Sequence, residues 1–198
     1  MTRQKFLNDY WAYYLMLEER FVHTLNYVEL SEYNKNVYSN EYAGLLQLIG
    51  SELDAFFKVY CGFSPDDHKN IAHYCTSVLT TYPRILDQEI SIPQAEISVK
   101  PFEGWNPQEA KQSLAWWCAF DNIKHSRTAN KKDASQHNVL LALSALFLLE
   151  MKYLNIITEH RDEPDIPDNL SKLFSLKDWI YRYHSGQNLY TKTLVTYN

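Results

Sequence analysis

Glycine is scarce in this chain, with 5 residues in 198, and only 7 prolines accompany it. So few turn-permissive residues argue against a sandwich or barrel of many short strands. Cysteine is scarcer still. Cys61, Cys75 and Cys118 are odd in number, far apart and without a CxxC pair, so no disulfide scaffold is expected and a reducing compartment fits best. Positive charge is also short. Nineteen Lys and Arg face 24 Asp and Glu, a formal net charge of −5, which excludes a protein whose whole surface binds nucleic acid but not a local basic patch. The first residues lack an apolar core followed by small residues, so no export signal is read there. The longest apolar run, Val139 to Leu149, is broken only by Ser144 and is too short to span a membrane. A cytoplasmic protein without a membrane partner is the expectation. There is no GxxxxGK[ST], GxGxxG, GxSxG or HExxH pattern, so no cofactor or nucleotide loop is implied.

What is abundant is aromatic: 15 Tyr, 9 Phe and 5 Trp. Large rings, few glycines and 45% hydrophobic residues favour long helices around an aromatic core. Three- and four-residue spacing of Phe6, Tyr10, Tyr13, Tyr14, Leu17, Phe21, Leu25 and Val28 predicts a first helix over about Arg3 to Glu29. A second is predicted from Glu41 to Tyr60, stopped by Gly62 and Pro65. A third, capped by Asp66 or Asp67, runs to Thr80 and ends before Tyr82-Pro83. Residues 88–100 then alternate Ile90, Ile92, Ile97 and Val99 about Pro93, the pattern of a short β-hairpin. Helices return over Leu114 to Thr128 and over Ala134 to His160, the latter apolar nearly all round and so surrounded by other helices. After the linker DEPDIPDN, one short docked helix is expected among Leu170, Phe174, Leu176, Trp179, Ile180 and Tyr183, followed by an extended end. The expected fold class is all-α: an antiparallel bundle of about five main helices with a hairpin insertion. It would form a single domain over residues 1–198, with the tail 161–198 docked on the core.

The dozen residues WWCAFDNIKHSR, Trp116 to Arg127, carry the most chemistry. On a helix, Asp121 lies one turn before Lys124 and His125, with Asn122 three before His125 and Lys124 three before Arg127. A carboxylate in that position can accept a bond from the imidazole and favour its charged or tautomer-fixed form. His125 could then move protons in phosphodiester cleavage, while Lys124 and Arg127 hold phosphate oxygens. Lys131 and Lys132 extend the basic strip. On the second helix, a 100° projection puts Glu52 inside the apolar arc with Leu45, Phe56 and Val59, whereas Asp54 and Lys58 fall on the polar side. A carboxylate so placed needs a partner, and Lys124, His125 or Arg127 are the expected ones. The same residues also suit a plain structural ion network that sets helix register. Trp116-Trp117 reads as core rather than as a stacking platform. His68 and His73, five apart near Asp66, Asp67 and Cys75, have a poor helical spacing for sharing a metal, and no metal site is expected.

The stretch Trp116, Trp117, Phe120, Asp121, Asn122, Ile123, Lys124, His125 and Arg127, followed by a strongly apolar helix and preceded by an acidic residue on an earlier one, resembles the HEPN-like domains of bacteria. It is most similar to uncharacterised members with a WW-x-x-[YF]-[ND]-x-[IV]-KH-x-R stretch, and the resemblance covers about Glu41 to His160. It implies a helical bundle that commonly forms a homodimer. It further implies RNA binding, or RNA cleavage as a metal-independent endoribonuclease, in toxin–antitoxin or phage-defence settings. The family pairs an Arg with a His four to six residues later. Here the positions ahead of His125 are Cys118, Ala119 and Phe120, and those ahead of His137 are Asn130, Lys131 and Lys132. On the resemblance, His125 is the proton-transfer group, Asp121 its orienter, Asn122, Lys124 and Arg127 the ligand-holding set, and Glu52 a buried support. The other reading is a non-catalytic helical module that docks a protein partner.

Overall fold

The computed structural model describes residues 1–159, 161, 163–177, 179–184 and 189–194, the last two stretches by backbone alone. Its centre is α6 (Gln136–Thr158), started by Ser135, whose hydroxyl accepts from the Asn138 amide at 3.2 Å. Unbroken burial from Val139 to Met151, apart from Leu141, is what an all-round apolar helix requires. By length and composition α6 could also cross a membrane, but 72% of its most apolar window is buried within the fold.

Three helical segments pack on it, α1 (Arg3–Phe6) with α2 (Ala12–Thr24), α3 (Asn40–Cys61) and α5 (Ala115–Ser126), and a fourth, α4 (Ile71–Thr81), packs on α3. In the first, a π turn (Leu7–Trp11) joins α1 to α2 end to end. The π turn adds a residue to the repeat and so advances the apolar stripe by one position. Phe6 ahead of it, Leu7 and Trp11 at its two ends, and Tyr14, Leu17 and Phe21 beyond it are therefore all buried. Helical spacing alone passes over Trp11, whose ring stacks on Tyr14 at 4.7 Å and whose Nε1 donates to the Asn169 carbonyl at 2.7 Å. The rod ends at Thr24, five residues before the expected Glu29; its hydroxyl bonds back to the Phe21 carbonyl at 2.6 Å and the chain turns over Leu25 to Val28.

Next, α3 (Asn40–Cys61) is capped by Ser39 and ended by Gly62 in the left-handed region at φ 70°, where a side chain would be strained. It packs along α6 and crosses α5 (Ala115–Ser126). At that crossing, a Cβ on Gly50 would lie 2.3 Å from Phe120 ring carbons, so the two helices approach through the missing side chain. The third helix, α4 (Ile71–Thr81), is capped by Asn70 rather than Asp66 or Asp67. Asn70 and His73 form a reciprocal capping box, while Asp67 accepts from the Ser64 amide instead and closes the preceding turn.

Between α4 and α5 the chain forms a 3₁₀ turn (Pro83–Asp87) and the expected hairpin, β1 (Ile90–Ile92) with β2 (Ile97–Val99). Ile90 faces Val99 and Ile92 faces Ile97 across it. The loop that follows is pinned from inside the core: Trp105 Nε1 donates to the Ala110 carbonyl at 2.9 Å and Trp116 Nε1 to the Pro101 carbonyl at 2.7 Å. Phe57, Tyr74, Phe102, Trp105, Trp116 and Trp117 fill the space between, with Phe57 stacked on Tyr74 at 5.0 Å.

The tail departs from expectation. No helix forms over 170–177. Ser175–Leu176 (β3) instead pairs antiparallel with β1 and makes a three-stranded sheet. Trp179–His184 (β4) and Leu189–Leu194 (β5) pair antiparallel with each other. The physical reason lies on α2: buried Glu18 accepts from the amides of Lys172 at 3.0 Å and Leu173 at 3.2 Å, and from the Ser171 hydroxyl. Amides drawn out to a carboxylate leave this segment extended. Arg3 adds bonds to the Pro164 and Ile166 carbonyls and an ion pair with Asp168. One hydrophobic cluster thus runs from Phe6 to Leu176.

One buried group on α6 has no partner. Glu150 is fully enclosed, and neither carboxylate oxygen makes a hydrogen bond among the described residues. Burial first, and the nearby Glu52 charge second, push its carboxyl well above the ordinary range; Tyr10 and Tyr14 also face it. Glu150 is therefore carried into the fold as the neutral acid.

Two outcomes are expected. Gly50→Ala should lower stability by about 1–3 kcal/mol through overpacking against Phe120, read as a fall in melting temperature. For Glu150, the native state keeps a proton that the unfolded chain releases near pH ~4.3. Stability should thus fall as pH rises above that value. Glu150→Gln should flatten this decline, so its advantage over the wild type grows from pH 5 to pH 8; a parallel pair of melting curves would refute the neutral acid.

Candidate functional site

The face of α5 that carries the polar residues is fixed by the one that does not. Trp116, Trp117, Ala119, Phe120 and Ile123 are buried, which turns Asn122, Lys124, His125 and Arg127 to solvent and leaves Asp121 at the edge. Asp121 is the hub. Its Oδ1 lies 3.4 Å from His125 Nε2, one turn on, and its Oδ2 accepts from the Lys111 ammonium. The Asp121 side chain is 29% exposed and that of His125 71%. Partial burial raises the Asp121 carboxyl, but Lys111 foremost, then His125 and Lys124, outweigh it and hold it below the usual value. Asp121 in turn raises the Lys111 ammonium.

Lys111 is the residue that sequence reading missed. It sits ten positions ahead on the loop before α5, so no helical spacing relates it to Asp121. The pinning of that loop by Trp105 and Ala110 brings it there, a tertiary effect with no local signature.

Asp121, Lys124 and Lys111 line an open groove of about 510 Å³ that continues to Asp54, Lys69 and Asn70 at the start of α4. Its floor is aromatic, with Trp117 and Phe120, and the Lys124 ammonium lies 5.5 Å from the Phe120 ring centre. The groove is not covered by Trp105, which is buried, or by the hairpin.

The expected set does not converge completely. Arg127 lies on another side of α5, where its Nη1 donates to Asn40 Oδ1 at 3.0 Å beside a second pocket of about 320 Å³ shared with Tyr38, Ser39 and Lys131. Asn122 is spent on the turn after α5: its Nδ2 donates to Asp133 at 2.8 Å and its carbonyl accepts from Asn130. Glu52 is half-buried as expected, and burial raises its carboxyl. Its titratable neighbours are Glu150 on α6 and Tyr10 on the π turn, however. No ion pair joins it to Lys124, His125 or Arg127 among the described residues. The reason is angular: α3 turns Gly50 and Asp54 towards α5, and a residue two positions from either faces away.

Elsewhere, His73 serves the α4 cap, the three cysteines are free, and no cluster of three or more His, Cys, Asp or Glu is present among the described residues. In comparisons with protein-family models, curated proteins and solved structures, nothing matched this chain.

The arrangement offers an exposed imidazole oriented by a carboxylate, beside a groove bordered by two ammonium groups. Such a set can exchange a proton with a bound group and hold a negatively charged one. Asp121→Asn should return the Lys111 titration midpoint towards the ordinary lysine value. It should cost only about 0–1 kcal/mol of stability, since both partners are partly exposed. Because the Asp121 carboxyl is depressed in the fold, that contribution exists above the ordinary Asp value of ~3.9 and disappears as pH falls below it. A stability difference that persists at pH 2 would contradict the pairing.

Proposed function

We propose that this chain is a HEPN-like antiparallel bundle of five main helices that engages single-stranded RNA, as a homodimer, through the outer face of α5. The observation that carries the reading is the open groove beside the Lys111–Asp121–His125 cluster, bordered by Lys124 and floored by Trp117 and Phe120. Ammonium groups bordering an open groove suit the backbone phosphates of a single strand. His125 is the proton-transfer group and Asp121 its orienter. Lys111 balances the Asp121 charge, and Lys124 contacts phosphate. Arg127 and Lys131 on the second pocket extend the path of the strand. An acidic chain with basic residues grouped on one helix binds locally, not over its whole surface. His137 is the less suitable acid: burial first, and the Lys35 charge second, push its imidazole below the ordinary value, so it is neutral at pH 7.

A second reading has its own support. The Asn122–Asp133 and Arg127–Asn40 bonds tie α5 to the turn after it and to the start of α3, as a structural network in a protein-docking module would. The experiment that separates them is incubation of labelled RNA with wild-type protein and His125→Ala, with chelator present. On the first reading the wild type cleaves and the variant does not. Lys124→Ala then weakens RNA binding and lowers the slope of log K against log salt by about 0.7. RNA neither bound nor cleaved by the wild type would leave only the docking module.

A further inference from the structure

The smaller pocket beside Arg127 is built from three separate stretches of chain. Tyr38, Ser39, Asn40 and Ala43 supply one wall, Arg127 after the end of α5 a second, and Lys131 on the 3₁₀ turn Lys131–Asp133 the third, around a cavity of about 320 Å³. Each wall is held from behind. The Val37 carbonyl accepts from the Gln136 amide at 2.8 Å and the Lys35 carbonyl from the His137 amide at 3.0 Å, which fixes the run into α3 against the start of α6. The Asn130 side-chain amide donates to the Asn122 and Ser126 carbonyls at 3.1 and 3.0 Å, which fixes the turn that carries Lys131. The Arg127 guanidinium is aimed by its Nη1, which donates to Asn40 Oδ1 at 3.0 Å.

Charge in this cavity is unbalanced. None of the six lining residues is acidic. Two acids lie close by in sequence, and both are engaged: Glu41 pairs with Arg20 at 2.7 Å, and Asp133 accepts from Asn122 at 2.8 Å. Neither Arg127 nor Lys131 has a carboxylate partner among the described residues. Two like charges bordering one cavity repel each other, and a chain with 24 acids to 19 bases has carboxylates to spare for them. A guanidinium carries five donors, and the Asn40 bond uses one. The others, with the Lys131 ammonium, suit a compact oxyanion.

We propose that Arg127 and Lys131 form a binding pocket for a phosphate monoester, which carries about −1.5 to −2 charges at pH 7. A phosphodiester within a strand carries only one, so two fixed cations around a closed-in space match the monoester better. The pocket shares no lining residue with the groove beside Asp121. The assignment therefore stands apart from RNA engagement by α5. A strand that ends in a phosphate is one source of the group, and a free phosphomonoester is the other.

The test uses the full chain and inorganic phosphate, with chloride at matched ionic strength as control. For a Kd of about 1 mM, phosphate at about 10 mM should raise the wild-type melting temperature by about 3–6 °C. Arg127→Gln and Lys131→Gln, both on the surface, should each weaken binding about tenfold and shrink the rise to below about 2 °C. Lys132→Gln, on the same turn but outside the lining, should keep the wild-type rise. Two oligonucleotides of one sequence, with and without a terminal phosphate, identify the source. A preference for the phosphorylated strand that Lys131→Gln removes assigns the group to a strand end. No such preference, with the phosphate rise intact, assigns it to a free phosphomonoester. Absence of cleavage at His125 would count against the groove and leave this pocket standing. No wild-type rise at about 10 mM phosphate would overturn the proposal. So would an equal rise in Arg127→Gln and Lys131→Gln, which would place the ion elsewhere.

Discussion

A helix that is apolar on every side can exist in water only if other elements enclose it, and α6 imposes that demand on the whole chain. Its residues from Val139 to Leu154 need cover on all sides, and α1 with α2, α3 and α5 supply it. The remaining elements then follow from how those neighbours must sit. The π turn exists because the first rod has to present Leu7 and Trp11 as well as Phe6 and Tyr14 to the same core. Gly50 is needed where α3 and α5 both press towards α6 and have no room for another side chain.

The candidate site inherits its geometry from the same constraint. Burial of Trp116, Phe120 and Ile123 against the core leaves one face of α5 for polar residues, and that face meets the α4 start across a groove. The aromatic anchors of the loop before α5 decide which lysine meets Asp121. Had Trp105 been free to swing out, Lys111 would have no fixed place. An exposed imidazole beside a depressed carboxylate is thus produced by packing several residues away, which is the usual way a fold holds a polar group in one orientation.

Legibility in the sequence tracks how local the cause is. The bounds of α3 and α5 and the hairpin at Ile90 to Val99 are readable because spacing, caps and alternation are properties of a few consecutive residues. The pairing of Asp121 with His125 was readable for the same reason, one helical turn apart. The pairing with Lys111, the turn of Glu52 towards Glu150, and the third strand from the tail were not, since each joins segments far apart in the chain. The tail is the clearest case. Leu170, Phe174 and Leu176 have a spacing open to helix, but the Glu18 carboxylate, more than 150 positions earlier, takes the amides a helix would have used. The Asn70 cap was missed on a finer scale: three candidate cap residues lie within five positions, and the one with a histidine three residues on can satisfy two amides instead of one.

Glu150 and Lys152 show how closely a helix constrains charge. They are opposite in sign, lie on one helix two residues apart, and are both buried, yet they cannot meet, because positions i and i+2 point some 200° apart. A shift of either by one or two places would have made an internal pair. Instead the acid faces α3 and the first rod, where burial first and the Glu52 charge second disfavour its ionisation. The amine faces the turn after α4, where Arg84 disfavours its protonation. The two resolve their cost differently. Glu150 is sealed and can only keep its proton, so it is a fixed neutral element of the α3–α6 seam. Lys152 keeps a narrow exposure and lies over the Tyr82 ring at 4.2 Å, which offsets part of the cost of its charge. Complete enclosure therefore fixes the acid as a neutral element of the core, whereas the ring beneath the amine lets that group carry its charge at the edge of the fold.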